Sequence, residues 1–390
     1  MPSLVVEWSR EAVYVSPEIV SIDSISAVPA KEWDALAQGH PLVSHAYLEA
    51  LEATHCVAER TGWMPTHLVL RRSGAMRAAM PLYAKAHSWG ENVFDHAWAQ
   101  AYERYGMDYY PKLVCAVPFT PVPGPRILAY DHHDRRLILE AAKQFTQENG
   151  FSSLHVLFPH EEDRRALEQA GLLFRSGVQF HWKNQGWADM DAFLAALSQP
   201  KRKKLRQDRK KLHEADVRFH WLTGHEIDSA TLRFLYLCYV QTYYEHGNAP
   251  YLNLDFFERL YDRLGASLVV VLAERRGVPI AAALNIRHDD RLFGRYWGCK
   301  EFLPGLHFET CYVQGIEYCL AHGISVFEGG AQGEHKLARG MLPVKTISAH
   351  WVDDPVFGPA VADFLKREGR VIDLYLAEMQ NHSPYRRPES

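Results

Sequence analysis

The chain has 390 residues, of which 47% are hydrophobic and 23% are charged, a composition typical of globular proteins. This length exceeds the size at which one hydrophobic core usually stops growing, so two domains are expected. The formal net charge of −4 excludes a global attraction to nucleic acid or anionic lipid, and a partner of that kind needs a local basic patch.

The six cysteines form no CxxC motif, which favours free thiols in a reducing compartment. The first residues, MPSLVVEWSREAVYV, lack the basic start and the apolar run of a signal peptide. No segment approaches the apolar length of a membrane-spanning helix. We therefore expect a cytoplasmic protein without membrane insertion.

Residues 1–19 are predicted to be an N-terminal extension, and residues 20–188 a first domain. Its helical segments AKEWDALA and HAYLEALEAT precede the strands HLVLRR and MRAAMPLYAKAH, which Ser73 and Gly74 join as a hairpin. Residues 88–110 have little periodicity and predict a long loop. The strand KLVCAVPF, the helix DRRLILEAAKQFTQENG, the strand FSSLHVLF, a further helix and the strand LLFRSGVQFHW follow.

Residues 189–380 are predicted to be a second domain, and residues 381–390 a flexible tail. Eight of the eleven residues from Lys201 to Lys211 are Lys or Arg, which indicates a basic helix over residues 200–215. The hairpin SLVVVLAERRGVPIAAALNIRHDD, the strand RLFGRYWGCK, the helix LHFETCYVQGIEYCLAHG and the strand ISVFEGG complete the domain.

The two halves repeat one scheme of hairpin, strand, helix and strand. Gly74 of the first hairpin corresponds to Gly277, and Gly150 corresponds to Gly323. The first half carries about thirty extra residues between these points, where the predicted long loop lies. Two similar α/β units with mixed sheets, packed side by side around a cleft, are the simplest architecture, and such clefts are favoured ligand sites.

The stretch FEGGAQGEHKLARGM, residues 327–341, follows a strand and is rich in glycine and charge. Its glycine spacing matches neither a Walker loop nor a GxGxxG fingerprint, and no HExxH or GxSxG occurs in the chain. Acid/base and electrostatic chemistry remain: Glu334 or His335 could take a proton, while Lys336 or Arg339 steadies negative charge. The alternative is a solvated turn whose charges pair on the surface.

Other candidates have similar alternatives. Tyr296, His307 and Glu309 lie near the ends of a strand and a helix. Their alternative roles are a ligand contact, a core position or a helix cap. The basic helix is either a solvated face or the contact for a polyanion, since its like charges repel one another.

Three stretches, residues 87–128, 295–319 and 327–340, resemble a known family. It comprises bacterial predicted N-acyltransferases related to the Fem-type peptidoglycan aminoacyltransferases, which are built from two GNAT-like domains. The resemblance covers roughly residues 20–380. It implies a tandem GNAT-like α/β fold with mixed sheets and an interdomain cleft.

The resemblance implies that an acyl or aminoacyl group passes from an activated donor to an amine acceptor. Such a reaction needs a base for the amine, a group that holds the developing oxyanion and an acid for the leaving group. The candidate bases are Glu328, Glu334 and His335, and the candidate acid is Tyr296.

Candidates for acceptor binding surround the expected cleft, although those in the long loop could instead pack the two halves together. They are Trp89, Glu91, Asp95, His96, Trp98, Trp297, His307, Glu309, Gln332, Lys336 and Arg339.

The donor is acyl-CoA or aminoacyl-tRNA. Acetyl-CoA users of the GNAT fold usually carry spaced glycines after the fourth strand, which KEFLPGLHFE does not match, and the prolines of TPVPGPR remove N–H donors. Fem-type enzymes use aminoacyl-tRNA, which would suit the basic helix. The candidate donor-binding residues are Lys201, Arg202, Lys203, Lys204, Arg206 and Arg126.

A rival interpretation is a non-catalytic GNAT-derived module that recognises RNA or a cell-wall precursor. A catalytic cleft would contain charged residues with displaced pKa values, whereas a binding module would present a basic surface without a base near the ligand. Neither interpretation includes a metal.

Overall fold

The computed structural model describes residues 17–331 and 333–386. Within these residues the chain forms fifteen strands. They are β1 Glu18–Ile22, β2 Trp63–Pro65, β3 His67–Arg72, β4 Ala75–Met80, β5 Leu82–Lys85, β6 Lys112–Cys115, β7 Leu128–Ala129, β8 Leu154–Leu157, β9 Leu173–Lys183, β10 Val217–Thr223, β11 Leu268–Arg275, β12 Val278–His288, β13 Arg291–Cys299, β14 Val326–Glu328 and β15 Leu342–Trp351.

The α-helices of the described residues cover both faces of the sheets. They are α1 Ala30–Ala37, α2 His45–Ala53, α3 His96–Arg104, α4 His132–Glu148, α5 Glu161–Gln169, α6 Met190–Ala196, α7 Gln199–Glu214, α8 Ser229–Glu245, α9 Leu254–Leu264, α10 Leu306–Phe308, α11 Gln314–Ala321 and α12 Phe357–Asn381. A π-helical turn, Glu309–Val313, joins α10 to α11, and Glu334–Arg339 forms a 3-10 helix.

Local sequence signals explain where many elements begin and turn. Asp131, Asp228 and Asn253 cap α4, α8 and α9, because each side chain accepts a hydrogen bond from a backbone N–H of the first turn. Both hairpins turn on two residues with positive φ, at 53° and 79° for Ser73 and Gly74. The second hairpin repeats this turn at residues 276 and 277, with φ of 51° and 76°.

Among the described residues the strands form two sheets. The small sheet has the order β1-β3-β4-β7, and the large one has the order β10-β11-β12-β13-β14-β9-β15-β8-β6-β5-β2. Pro81 separates β4 from β5, and the chain passes there from the small sheet to the large one. The large sheet therefore runs through both halves.

The two halves exchange a strand. In each half a strand pairs in parallel with the strand that follows the crossover helix: β6 with β8, and β13 with β14. The next strand then pairs with the other half, because β9 lies beside β14 while β15 lies between β9 and β8. The structure thus confirms the repeat and joins its two copies through the sheet.

The hydrophobic core also crosses the boundary between the halves. Its largest cluster combines Trp33 and Tyr47 of the first half with Tyr239 and Phe256 of the second. Side-chain nitrogens of Arg259 in α9 donate to both carboxylate oxygens of Glu49 in α2. The halves therefore form one packed body around the cavity described below.

Three boundary predictions need correction. The loop predicted at 88–110 contains α3, whose Trp98 and Tyr102 pack in a cluster with Phe357 of α12. Residues 18 and 19 of the predicted extension pair with β3, whereas residues 1–16 lie outside the described residues. The predicted tail is ordered to residue 386, since the Tyr385 ring stacks on Trp187 and its hydroxyl donates to the Gly340 carbonyl at 2.6 Å.

A close helix–strand approach predicts one stability difference. A Cβ added at Gly298 in β13 would lie 2.0 Å from the Cys238 carbonyl oxygen of α8, whereas one added at Gly369 in α12 has no atom within 4 Å. We expect Gly298→Ala to lower the free energy of unfolding by about 3 kcal/mol. The control Gly369→Ala should raise it by about 0.5–1 kcal/mol. Urea titrations of the two variants test the pair, and equal stabilities would contradict this packing.

Candidate active site

Two parallel strands of the second half separate at a pair of glycines. The paired segment of β13 and β14 ends with Phe293 opposite Glu328. Gly294 and Gly329 follow, and a Cβ at Gly294 would lie 3.3 Å from the Glu328 carbonyl oxygen. Because β9 continues the sheet beyond β14, the separation opens a slot within the sheet and not at its edge.

A β-bulge directs two side chains into this slot. Leu284 of β12 pairs with Tyr296 and Asn285 pairs with Gly294, so that Arg295 is an extra residue in β13. Bulges change the direction of side chains and are common beside active sites. Arg295 and Tyr296, although adjacent in sequence, both line the cavity that fills the slot.

The cavity has a volume of about 310 Å³, and its walls come from both faces of the sheet. On the α10 and α11 face, Trp297 stacks on His307 with ring centroids 4.8 Å apart. On the opposite face, the Tyr239 ring of α8 lies 5.1 Å from that of Tyr296. The first half contributes Asn92, Phe119 and Pro121. The cavity therefore connects the two faces at the boundary between the halves.

Arg295 is half-buried and contacts the first half. Its Nη2 donates to the Phe119 carbonyl at 2.8 Å, to Thr120 Oγ1 at 3.0 Å and to the Tyr296 hydroxyl at 3.3 Å. Its buried Nε has no hydrogen-bond partner among the described residues. Among the described residues no carboxylate lies within ion-pair distance of this guanidinium, and its hydrogen-bond partners are neutral oxygen atoms that leave its charge uncompensated.

Tyr296 has a hydroxyl suited to donating a proton. Burial raises its pKa well above the ordinary value, so the hydroxyl stays protonated. Because an Arg295 nitrogen donates to the Tyr296 oxygen, the hydroxyl hydrogen is available to a ligand.

Glu328 ends β14, directly before the point of separation. One carboxylate oxygen accepts from Arg291 Nη1 at 2.9 Å, while the other is buried without a hydrogen-bond partner and lies 3.8 Å from His181 Nε2. Burial raises the pKa of Glu328 to about 7, with Arg291 opposing the shift, and lowers that of His181 to about 3. Glu328 can thus exchange a proton near neutral pH.

The glycine-rich stretch forms a wall of the cavity and is not a phosphate loop. Gly329 and Gly330 line the cavity, and the buried Lys336 Nζ donates to the Gly330 carbonyl at 2.8 Å. Burial lowers the pKa of Lys336 to about 8. His335 Nε2 lies 3.2 Å from the Tyr312 hydroxyl, and the Arg339 guanidinium lies 3.6 Å from the centroid of the Phe308 ring.

Two predicted carboxylates lie elsewhere. Glu334 is exposed and accepts from the Tyr375 hydroxyl of α12 at 2.7 Å, so it faces away from the cavity. Glu309 is buried in the π-helical turn, where Arg209 of the basic helix approaches it to 3.1 Å. Glu309 is therefore a contact between helices and does not line the cavity between β13 and β14. Gln332 lies outside the described residues.

Arg126 fills the corresponding gap of the first half. Its guanidinium is 1% exposed and donates to the carbonyl oxygens of Val122, Pro125 and Leu157. The backbone N–H of Gly124 also reaches the Phe158 carbonyl across this gap at 3.1 Å. Every hydrogen bond of the Arg126 side chain goes to the surrounding backbone, so these contacts give the predicted donor-binding role no support.

Two of the five acceptor candidates in the long loop belong to a buried ionic cluster. Glu91 and Asp95 both receive hydrogen bonds from the fully buried Lys112 Nζ, at 2.8 Å for Glu91. Burial raises the pKa of Glu91 to about 7; burial would also raise that of Asp95, but the Lys112 ammonium keeps it below its ordinary value. Trp98 is buried against His350. These three side chains hold the loop in place and contact no cavity.

Trp89 and His96 do line a cavity. It measures about 220 Å³ and shares Asn92, Phe119 and Tyr243 with the larger one. Trp89 is 58% exposed, so the two cavities form a groove that is open toward solvent beneath the loop.

The basic helix α7 uses some of its charges internally. Lys204 pairs with Asp208 at 2.5 Å, Arg206 lies 3.7 Å from Asp191, and Arg202 Nη1 donates to the Ala195 carbonyl at 3.3 Å. Within the described residues, Lys201 and Lys203 are exposed and have no ion-pair partner. They remain available to a polyanion.

Sequence reasoning overlooked the residues that matter most for the cavity. Arg295 is a single cation in the otherwise uncharged stretch GRYWG, and a cation within a strand flanked by glycines was the available signal. Lys112, at the start of β6, gave no local signal, because its partners are 21 and 17 positions away.

Other site types find no support in the described part of the chain. No group of three or more His, Cys, Asp or Glu residues there is arranged to hold a metal ion, and the six cysteines are unpaired. No helix among these residues has the length and apolar character needed to span a bilayer.

The buried cluster predicts a pH-dependent loss of stability. Lys112→Met leaves two carboxylates buried without a counter-charge and should lower the free energy of unfolding by about 3–5 kcal/mol at pH 8. The loss should be smaller at pH 5, where the uncompensated carboxylates, with raised pKa values, take up protons. The exposed Lys366→Met serves as the control in denaturant titrations at both pH values. A loss independent of pH would contradict the proposed charge balance.

Comparison with known proteins shows the family and the fold. A family model described as FemAB-like, peptidoglycan biosynthesis/recognition, matches residues 24–387. A comparison with curated protein sequences gave no match. Among solved structures, FemX is similar with a TM-score of 0.52 and 13% identity, over 85% of this chain and 98% of that one.

Two further structures share the fold. L-PGS from Bacillus licheniformis has a TM-score of 0.52 and 11% identity, over 87% of this chain and 96% of that one. The C-terminal domain of a putative lysylphosphatidylglycerol synthetase from Agrobacterium fabrum has a TM-score of 0.51 and 10% identity, over 88% of this chain and 96% of that one. The predicted α/β fold with mixed sheets is confirmed, and the chain belongs to the FemAB-like family.

Proposed function

We propose that the protein transfers an acyl or aminoacyl group from an activated donor to an amine within the β13–β14 slot. The observation that carries this proposal is the cavity that crosses the sheet between diverging strands. A donor on the α10 and α11 face and an acceptor on the α8 face would meet at the gap. Such an arrangement suits a direct transfer between two substrates, since it holds the reacting atoms in contact.

The chemistry assigns a role to each polar group. The acceptor amine attacks the acyl carbonyl, the new C–N bond forms, and the bond from the carbonyl carbon to the donor oxygen or sulfur breaks. Glu328 lies outside the cavity lining, directly before the lining residue Gly329, and its second carboxylate oxygen is unpartnered; we assign it as the group that accepts the amine proton. Tyr296 donates a proton to the leaving group. The pKa of Glu328, about 7, suits a base near neutral pH, while the raised pKa of Tyr296 shows only that its hydroxyl holds a proton before the leaving group takes it.

The basic helix supports a phosphate-bearing donor. The helix α7 packs against the 3-10 helix Glu334–Arg339 and lies on the α10 and α11 side of the cavity. Its 16 residues span about 24 Å at 1.5 Å per residue. A charged face of that length suits an extended polyanion, so we favour aminoacyl-tRNA over acyl-CoA as the donor.

Donor and turnover can be tested together. The purified protein is incubated with charged tRNA or acetyl-CoA that carries a labelled acyl group, and transfer to a panel of amines is measured. Thermal shifts in the same mixtures report binding, because a ligand of the folded state raises its stability. Binding without transfer to any amine would favour a recognition module and contradict the proposal.

A base at Glu328 predicts both the rate and its pH dependence. Since only the carboxylate can accept the proton and its pKa is about 7, kcat/KM should rise with pH to a plateau above neutrality. Glu328→Gln should lower the plateau by about 100-fold or more and remove this pH dependence. The matched control is Glu334→Gln in the same stretch. An unchanged profile for Glu328→Gln would eliminate this residue as the base.

The exposed cations of α7 predict how salt affects donor binding. Exchanging Lys201 and Lys203 for Gln should reduce the slope of log K against log salt for charged tRNA by about 2. The control exchanges Lys204 and Lys210, whose ammonium groups already pair with Asp208 and Glu214. If both variants give equal slopes and acetyl-CoA is the productive donor, the donor is the CoA thioester and not aminoacyl-tRNA.

A further inference from the structure

The charge balance of the cavity points to the acceptor. The described residues that line it include one permanently charged side chain, Arg295, and no Asp or Glu. The other ionisable side chains of the lining are neutral at physiological pH: His307 because burial lowers its pKa to about 4, and the tyrosines because burial raises theirs. The empty cavity therefore has an excess of one positive charge.

The contacts of Arg295 leave part of its guanidinium available. Its hydrogen bonds to the described residues all use Nη2, and its Nε is unpaired. A planar guanidinium has five N–H donors, and the two on Nη1 of Arg295 take part in no hydrogen bond with the described residues, so they can donate to an anionic ligand. A buried charge without a partner is costly, so an anionic ligand is the natural complement.

A single carboxylate fits this environment better than a phosphate. The groups around Arg295 Nη2 are the Phe119 carbonyl and two hydroxyl oxygens, which present electron-rich atoms. A dianion would leave one negative charge uncompensated beside these oxygens, whereas a carboxylate is neutralised by one guanidinium.

The rest of the lining selects an aromatic body. Six rings surround the cavity, from Phe119, Tyr239, Tyr243, Tyr296, Trp297 and Tyr312. Aromatic walls favour a flat apolar group through edge and face contacts. The volume of about 310 Å³ suits a ligand of amino-acid size.

We propose that the acceptor is an aromatic α-amino acid, or a peptide ending in one, whose carboxylate binds Arg295 on the α8 side of the slot. Calling this ligand the acceptor rests on the proposed function, whereas its binding to the cavity does not. The carboxylate would be anchored while the amine lies toward the gap. Arg295 is then a residue that determines specificity, beyond its contact with the first half.

Binding measured without any donor tests the inference separately from catalysis. Isothermal titration compares L-tyrosine, tyramine, which lacks the carboxylate, and phenyl phosphate. We expect the wild-type protein to bind L-tyrosine at least about tenfold more tightly than tyramine, as one charge-assisted hydrogen bond implies. Phenyl phosphate should bind more weakly than L-tyrosine. If the protein binds the three ligands with these relative affinities but transfers no acyl group, only the proposed function is refuted.

Variants assign the preference to one residue. Arg295→Gln should remove the difference between L-tyrosine and tyramine, and Arg295→Lys should retain part of it. The exposed Arg218→Gln on β10 is the matched control and should behave as the wild type. Arg295 also contacts Phe119, and the loss of that contact can affect folding. If Arg295→Gln does not fold, the comparison of L-tyrosine with tyramine on the wild-type protein still tests the inference. Equal binding of L-tyrosine and tyramine, tighter binding of phenyl phosphate, or no binding of L-tyrosine would overturn the inference.

Discussion

The separation of β13 from β14 is the constraint on which the rest of the structure depends. Two strands that are hydrogen-bonded up to Phe293 and Glu328 must satisfy their backbone groups differently beyond that point. Glycines at 294 and 329 let the chains pass closely before they diverge, and the bulge at Arg295 turns its side chain into the space created. The exchange of β9 and β15 keeps the sheet continuous around this opening.

The two halves treat the same gap in opposite ways. In the first half, the Arg126 guanidinium fills it and bonds only to carbonyl oxygens, and the neighbouring loop is fixed by the Lys112 ionic cluster. In the second half a cavity lies in the gap, and its arginine retains unpaired donors. One copy of the repeat thus supports the shape of the cleft, while the other supplies the site. This asymmetry agrees with a single reaction centre for each chain.

Local chemistry made much of the fold predictable from sequence. The turns at Ser73-Gly74 and at Arg276-Gly277 require positive φ, and the basic run after Pro200 contains no helix breaker. The exchange of β9 and β15 was not predictable, because strand partners more than 150 residues apart leave no trace in local periodicity.

The site was harder to predict for a related reason. Glu91, Asp95 and Glu334 are carboxylates in plausible places, yet their partners Lys112 and Tyr375 become neighbours only through tertiary packing. Glu328, Tyr296, Trp297 and His307 were identified from their places near strand and helix ends and from the family resemblance, and the structure places them beside the separating strands. Arg295 was missed because its significance lies in the absence of a carboxylate beside it, which only the assembled cavity reveals.

Photoaffinity labelling tests the central claim, transfer within the β13–β14 slot, most directly. The probe is a diazirine-bearing acyl group carried by tRNA in one sample and by CoA in the other, with labelled residues identified by mass spectrometry. The account predicts labelling of Trp297, Cys311 or Tyr312 on the α10 and α11 side of the slot. Labelling confined to the first half, around Arg126 or the Lys112 cluster, would contradict it.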